Sequence, residues 1–143
     1  MYEVKEYMGN YNKEQFYAIM GRFFAERVYR KKLPYLCNER DKIWYLFYRA
    51  KDLVGFCAIK PLENYTLISD IYVLDQFKDA NVFEFMAKYI TNHYAKNDLQ
   101  ILTNSDREKD IWEFLDFKVV NRRGTYMICR REKVDERNQV SSS

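Results

Sequence analysis

The sequence predicts a mixed α/β domain, and three observations predict it. Apolar residues recur at intervals of three and four along 12–31 and again along 82–96, the period of an amphipathic helix. Runs rich in aromatic and branched residues at 42–50, 53–59 and 65–74 carry the composition of strands. The chain has 143 residues, 48% of them apolar, which suffices for one core and is too little for two.

Taken in order, residues 4–8 alternate weakly and form a first strand that Gly9 and Asn10 end. In the first helix Phe16, Ile19, Met20, Phe23, Phe24 and Val28 share a stripe, and Asn12 is a suitable N-cap. Pro34 stops what precedes it, and 33–38 add a short helical turn. The runs at 42–50 and 53–59, split by Lys51 and Asp52, read as an antiparallel hairpin closed by Pro61. Residues 65–74 are too continuously apolar for a solvated edge and form a central strand. The second long helix puts Val82, Phe85, Met86, Tyr89, Ile90 and His93 on one stripe, and Asn81 with Glu84 has the spacing of a capping box. A short buried strand at 100–103, a short helix at 106–115 and a hairpin at 117–131, turning at Arg123 and Gly124, complete the domain. The segment 132–143 is charged and then Ser-rich, without apolar periodicity, and is expected to be a disordered tail outside the domain at 1–131.

Charge and cysteine usage exclude several classes of protein. The 24 basic and 21 acidic residues are mixed along the chain, so the net +3 builds no strong field of one sign. The N-terminus has no basic stretch leading into an apolar run, and no apolar segment approaches the roughly 18 residues of a membrane span; a soluble, cytoplasmic protein is expected. Cys37, Cys57 and Cys129 are odd in number and widely spaced, which suggests neither a disulfide framework nor a zinc site, and they read as reduced, small apolar residues. His93 is the only histidine and has no partners at ligand spacing, so it reads as a core or rim residue and no metal is expected. Arg122, Arg123, Arg130 and Arg131 lie on the last hairpin and read as a solvated edge rather than a nucleic-acid surface.

The order of elements is strand, long helix, hairpin, central strand, helix, strand, helix, terminal hairpin, and it resembles the GNAT superfamily of acyl-CoA-dependent N-acetyltransferases. Three local texts carry the resemblance. Ile71-Tyr72-Val73-Leu74-Asp75-Gln76-Phe77-Lys78 is similar to the family's central strand, with its "YV" pair followed by an aromatic-basic pair. Asp110-Ile111-Trp112-Glu113-Phe114-Leu115-Asp116-Phe117 is similar to the "fYeklGF" segment that feeds the last hairpin, and Gly55-Phe56 matches the frequent "vGf" of the third strand. The resemblance implies a mostly antiparallel mixed sheet of about six to seven strands flanked by about four helices. It also implies acetyl-CoA as co-substrate and an amine as acceptor.

In that family a Gly-rich loop after the central strand holds the coenzyme pyrophosphate on backbone N–H groups at a helix N-terminus. Laid on this sequence, the loop is Lys78, Asp79, Ala80, Asn81, Val82 and Phe83. Lys78 keeps a positive charge and Asn81 can adopt the left-handed conformation of a Gly, whereas Phe83 adds a bulky ring and Asp79 a negative charge. The resemblance further implies that backbone N–H groups over 72–74, from Tyr72, Val73 and Leu74, polarise the thioester carbonyl. Asp70 stands close to the place of a carboxylate that deprotonates the acceptor amine, Tyr72 is a possible proton donor on the same strand face, and Ser105 takes the place of an Asn before the last helix. Trp112 stands where many members keep the Tyr that protonates the leaving thiolate, and Asp116 replaces a Gly. Two readings stay open: an N-acyltransferase working by direct attack of the amine, or a catalytically inactive GNAT-like domain that binds protein or nucleic acid. Two hairpins and abundant Tyr would suit a homodimer.

Overall fold

The computed structural model describes residues 1–78 and 81–134. It contains one seven-stranded sheet in the order β1-β2-β3-β4-β5-β7-β6, formed by β1 (Tyr2–Tyr7), β2 (Ile43–Arg49), β3 (Asp52–Pro61), β4 (Thr66–Val73), β5 (Leu99–Thr103), β6 (Lys118–Arg123) and β7 (Tyr126–Arg131). Every neighbouring pair is antiparallel except β4 and β5. The strand expected to be central is the fourth of the seven.

Two helical layers cover the sheet. On one face α1 (Lys13–Ala25) buries Phe16, Met20 and Phe23 against Trp44, Leu46, Phe56 and Tyr72, and α2 (Arg27–Lys32) adds the partly buried Tyr29. On the other, α3 (Val82–His93) and α4 (Asp106–Phe114) bury Val82, Met86, Ile90 and Trp112 against Tyr45, Phe47, Cys57 and Ile101. Alternation along β4 sends Tyr72 to the first face and Val73 to the second. Gly55 of β3 is squeezed between the layers: a Cβ there would lie 2.6 Å from both the Met86 sulfur and the Tyr72 carbonyl oxygen. Only a residue without a side chain lets α3 settle this close to the β3–β4 pair.

Several local expectations are corrected. The first helix is broken at Glu26, whose backbone is extended (φ −72°, ψ 137°), so that α2 leaves the axis of α1. The break lets Tyr29, rather than Val28, meet the core, with its ring 4.6 Å from that of Phe23, while Val28 is exposed. Residues 33–38 form a single hydrogen-bonded turn, Leu36 N–H on the Leu33 carbonyl at 3.1 Å, and no helix beyond it. Asn38 instead accepts from the Trp44 indole at 2.8 Å and donates to the hydroxyls of Tyr11 and Tyr17, which anchors the segment against the sheet. The Asn81 capping box does not form, because Asn81 is left-handed (φ 58°, ψ 24°) and its side chain caps no amide. Cys57 and Cys129 are buried, but Cys37 is exposed.

Arg131 also departs from the expected solvated edge. The edge strand is β6, and Arg131 lies on the inner strand β7, 5% exposed. Its guanidinium donates to the carbonyls of Thr91, Tyr94 and Asn97 at 2.7–2.9 Å, satisfying the C-terminal carbonyls of α3 and the turn after it. Of the segment expected to be a tail, Lys133 N–H donates to the Asp98 carboxylate at 2.7 Å and Val134 N–H to the Ala95 carbonyl at 2.8 Å; 135–143 lie outside the described residues.

Candidate active site

The site begins where the sheet comes apart. β4 and β5 are paired only through 66–68 against 99–101. Beyond that point β4 stays with β3 as far as Val73, and β5 stays with β7 as far as Thr103, so the two parallel strands diverge. A cleft of about 680 Å³ opens beside the gap, bounded by 32–36, β4, β5 and the tip of the last hairpin. A second cavity of about 250 Å³ lies between β4, Lys78, Phe83 and the first two turns of α4. Ile71, Tyr72 and Glu108 are walls of both.

Amide hydrogens alternate in direction along a strand. The Leu74 N–H donates to the Val54 carbonyl at 2.9 Å, on the β3 side. That amide is spent, and the expectation of free N–H groups over 72–74 narrows to Val73. Its N–H points away from β3, towards the space that β5 vacates, and Val73 lines the smaller cavity.

The helix ladder of α3 starts with Phe85 N–H on the Asn81 carbonyl at 3.2 Å, so the amides of Val82, Phe83 and Glu84 precede it and the Asn81 side chain caps none of them. The ring of Phe83 packs edge-on to Trp112, with centroids 5.8 Å apart, and forms a wall of the cavity, which remains open with the ring in place. Lys78 and Arg107 bring two cations to the same cavity. Lys78 also pairs with Asp75 at 3.1 Å; Asp75 is held first by Lys32 and then by Lys78, and the two lysines keep its carboxyl down at about 2. Asp79 and Ala80, the remaining members of the loop, lie outside the described residues.

Asp70 lines the larger cleft but is already engaged. Lys42, 4% exposed, donates to its Oδ2 at 3.0 Å and to the Cys37 carbonyl at 2.8 Å, and Ser69 Oγ donates to the same carboxylate oxygen at 2.8 Å. An amine approaching Asp70 would compete with a buried lysine. Tyr72 is nearly buried among Phe23, Tyr29 and Phe56; its hydroxyl donates to Asp75 Oδ1 at 3.3 Å, and burial followed by the Asp75 charge pushes its pKa up. Ser105 is the N-cap of α4, its Oγ accepting from Glu108 N–H at 3.2 Å. Trp112 is fully buried, with its indole nitrogen unpaired, and offers no acidic proton to the cleft.

Two residues at the site were not anticipated. Arg107 and Glu108 occupy the first turn of α4, and Glu108 stands between the two cavities, partly buried, with its pKa raised by desolvation against the opposing charges of Arg107 and Lys78. The Ser-x-x-Glu spacing of Ser105 and Glu108 is a signal in the sequence that marks the start of this helix. Among the described residues no group of three or more His, Cys, Asp or Glu side chains is placed to hold a metal ion, and no helix is long and apolar enough to cross a membrane.

No protein-family model matches the sequence, and no curated protein matches it. Solved structures do match the fold. With its mixed seven-stranded sheet, parted between β4 and β5 and flanked by four helices, the chain has the GNAT fold. It is similar to Escherichia coli ElaA, with a TM-score of 0.70 at 17% identity over 92% of this chain and 100% of that one. It is similar to the Campylobacter jejuni N-acetyltransferase PseH, solved in complex with acetyl coenzyme A, with a TM-score of 0.62 at 10% identity over 94% and 100% of the two chains. It is also similar to the PaiA N-acetyltransferase of Thermoplasma acidophilum, solved in complex with coenzyme A, with a TM-score of 0.55 at 13% identity over 92% and 99%.

Proposed function

We propose that this protein is an acyl-CoA-dependent N-acyltransferase that moves an acyl group, typically acetyl, from coenzyme A to an amine by direct attack. The observation that carries the reading is the parting of β4 from β5: beside it Val73 and Phe83, near the start of α3, border one cavity, and that cavity shares Ile71, Tyr72 and Glu108 with the larger cleft. Bound there, the coenzyme would supply the activated acyl group as a thioester. The amides of Val82, Phe83 and Glu84, with Lys78 and Arg107 beside them, suit a pyrophosphate, since a helix N-terminus and two cations favour anions. Asp79, Ala80 and Asn81 complete this loop in the sequence. The N–H of Val73 suits the thioester carbonyl oxygen, where negative charge grows as the amine attacks. Tyr72 and Leu74 shape the strand around that amide, Asp70 lies on the acceptor side, and Ser105 fixes the start of α4 opposite. The larger cleft, walled by Leu33, Pro34, Tyr35 and Ile128 as well as Asp70, suits an amine on an apolar body. Acceleration by this site comes mainly from orientation and fixed backbone dipoles.

One observation favours the binding-module reading: Trp112 fills the position of the family's proton donor and is sealed in the core. Calorimetric titration with acetyl-CoA separates the two. The enzyme reading expects saturable binding with a micromolar Kd and a rise in Tm with ligand. No heat and no thermal shift at millimolar acetyl-CoA would overturn it in favour of the binding module.

A further inference from the structure

The transfer reaction needs a proton carrier, and the side chains expected in that role are otherwise occupied. Asp70 is tied to Lys42 and Ser69, Tyr72 donates to Asp75, and Trp112 has nothing to give. Glu108 is different for a local reason. Its spacing from Ser105 is that of a capping box, in which the glutamate carboxylate would fold back onto the N–H of the capping residue. Only half of the box closes. Ser105 Oγ accepts from Glu108 N–H, but Ser105 N–H is taken by Thr103 Oγ1 at 3.3 Å. The Glu108 carboxylate is therefore released from its usual capping duty. Among the described residues it makes no hydrogen bond or ion pair, and it borders both cavities one helical turn before Trp112.

We propose that Glu108 is the proton shuttle of the acyl transfer, taking the proton of the attacking amine and returning it to the departing thiolate. This rests on the transferase reading above. A neutral amine forms the N–C bond to the carbonyl carbon and gives its proton to a Glu108 carboxylate oxygen. The C–S bond then breaks, and the protonated Glu108 delivers the same proton to sulfur, leaving amide, thiol and the original carboxylate. Burial raises the pKa of this carboxyl, which suits a group that must be a base in one step and an acid in the next. Other charged and titratable groups face the same space: Lys78 and Arg107 on the coenzyme side, Asp70 and Tyr72 from β4, Lys32 from α2, and Arg123 and Tyr126 from the last hairpin. Of these, Arg107 and Lys78 lower the Glu108 pKa and oppose the effect of burial, so the acidic limb of the rate profile reports that balance.

The test compares wild type with Glu108→Gln and Glu108→Asp, reading coenzyme A release from acetyl-CoA with three primary amines as probes: spermidine, phenethylamine and a short peptide with a free N-terminus. Wild type should acylate at least one of them, with an acidic limb in kcat/KM above the usual carboxylate range. E108Q should bind coenzyme A within about twofold of wild type, lose about 100-fold or more in kcat, and lose the limb. E108D keeps the carboxyl and should keep the limb with part of the rate; it carries the comparison if E108Q fails to fold by circular dichroism. A folded E108Q that retains both wild-type kcat and the limb overturns the shuttle while leaving the transferase reading standing. Acetyl-CoA binding without transfer to any of the three amines also overturns the shuttle and spares the coenzyme site. No binding of acetyl-CoA overturns both.

Discussion

Asn12 and Asn81 open the two longest helices of the same chain and do opposite things. Asn12 is extended (φ −70°, ψ 101°), and its side chain accepts from Gln15 N–H at 3.0 Å, closing the start of α1. Asn81 is left-handed and its side chain caps no amide, so among the described residues the first amides of α3 have no side-chain cap. The start of α4, across the smaller cavity, behaves like α1, with Ser105 extended and its Oγ on the Glu108 amide. Residue type is the same in the first two cases, and what differs is backbone. Asn tolerates φ > 0 better than most side chains, and at position 81 it uses that tolerance to turn the chain rather than to cap it. The capped starts of α1 and α4 serve the fold, and the start of α3, which has no side-chain cap, faces the candidate coenzyme site.

An open start needs a secure end, and the largest effect we expect tests that link. Arg131 fastens the far end of α3 through carbonyls of Thr91, Tyr94 and Asn97. Arg131→Met keeps much of the buried stem and removes every one of these donors; the Tyr94 carbonyl keeps the Asn97 N–H at 3.0 Å, but the Thr91 and Asn97 carbonyls lose the guanidinium. We expect a loss of about 3 kcal/mol in urea unfolding, since hydrogen bonds from a charged group contribute about 1.5–3 kcal/mol each and do not add fully. A loss below about 0.5 kcal/mol, the range of an ordinary surface substitution, would show that α3 is held by its apolar face alone.

The second effect bears on position 81 itself. Asn81→Val puts a β-branched residue into left-handed backbone, at a cost of about 1–2 kcal/mol, and should weaken coenzyme A binding because the loop must move to relieve the clash. Asn81→Gly keeps the conformation and should leave stability and binding close to wild type. Equal coenzyme affinity in the valine and glycine variants, read by calorimetry, would uncouple this backbone geometry from the anion site.

Much of the fold was legible in the sequence because it is written in periodicity. The aromatic runs of β2, β3 and β4 and the stripes of α1 and α3 depend on which side chains must leave water; these strands and α3 lie within a few residues of their expected places, whereas α1 ends at Ala25 rather than near 31. What was not legible depends on competition between partners distant in the chain. Nothing near Glu26 marks a break, since neither Gly nor Pro stands there; Tyr29 finding Phe23 and Tyr72 decides it. Arg131 reads as one more edge arginine until β7 is seen to be an inner strand. At the site, Lys78, Asn81 and Phe83 were nameable from the loop resemblance, and Lys78 and Phe83 border the cavity that Val73 lines. The commitment of Asp70 to Lys42 was not readable, because the partners are 28 positions apart. The release of Glu108 was not readable either, because it turns on Thr103 Oγ1 reaching the Ser105 amide first.

The smallest effect concerns the closed helix on the other side of the comparison. Ser105→Ala removes the oxygen that accepts from Glu108 N–H, and losing such a cap costs about 1 kcal/mol. The loss should appear in the denaturation midpoint with an unchanged m-value, because α4 stays docked through the fully buried Trp112. Coenzyme affinity should change little, since the amides proposed for the pyrophosphate belong to α3. If Ser105→Ala weakened coenzyme binding as much as Asn81→Val does, the two helix starts would be sharing one ligand. The division between a helix end that serves the fold and one that serves the site would then fail. A stability loss with intact binding keeps the division, and it assigns the Ser105 hydroxyl to holding the turn that carries Arg107 and Glu108 in place.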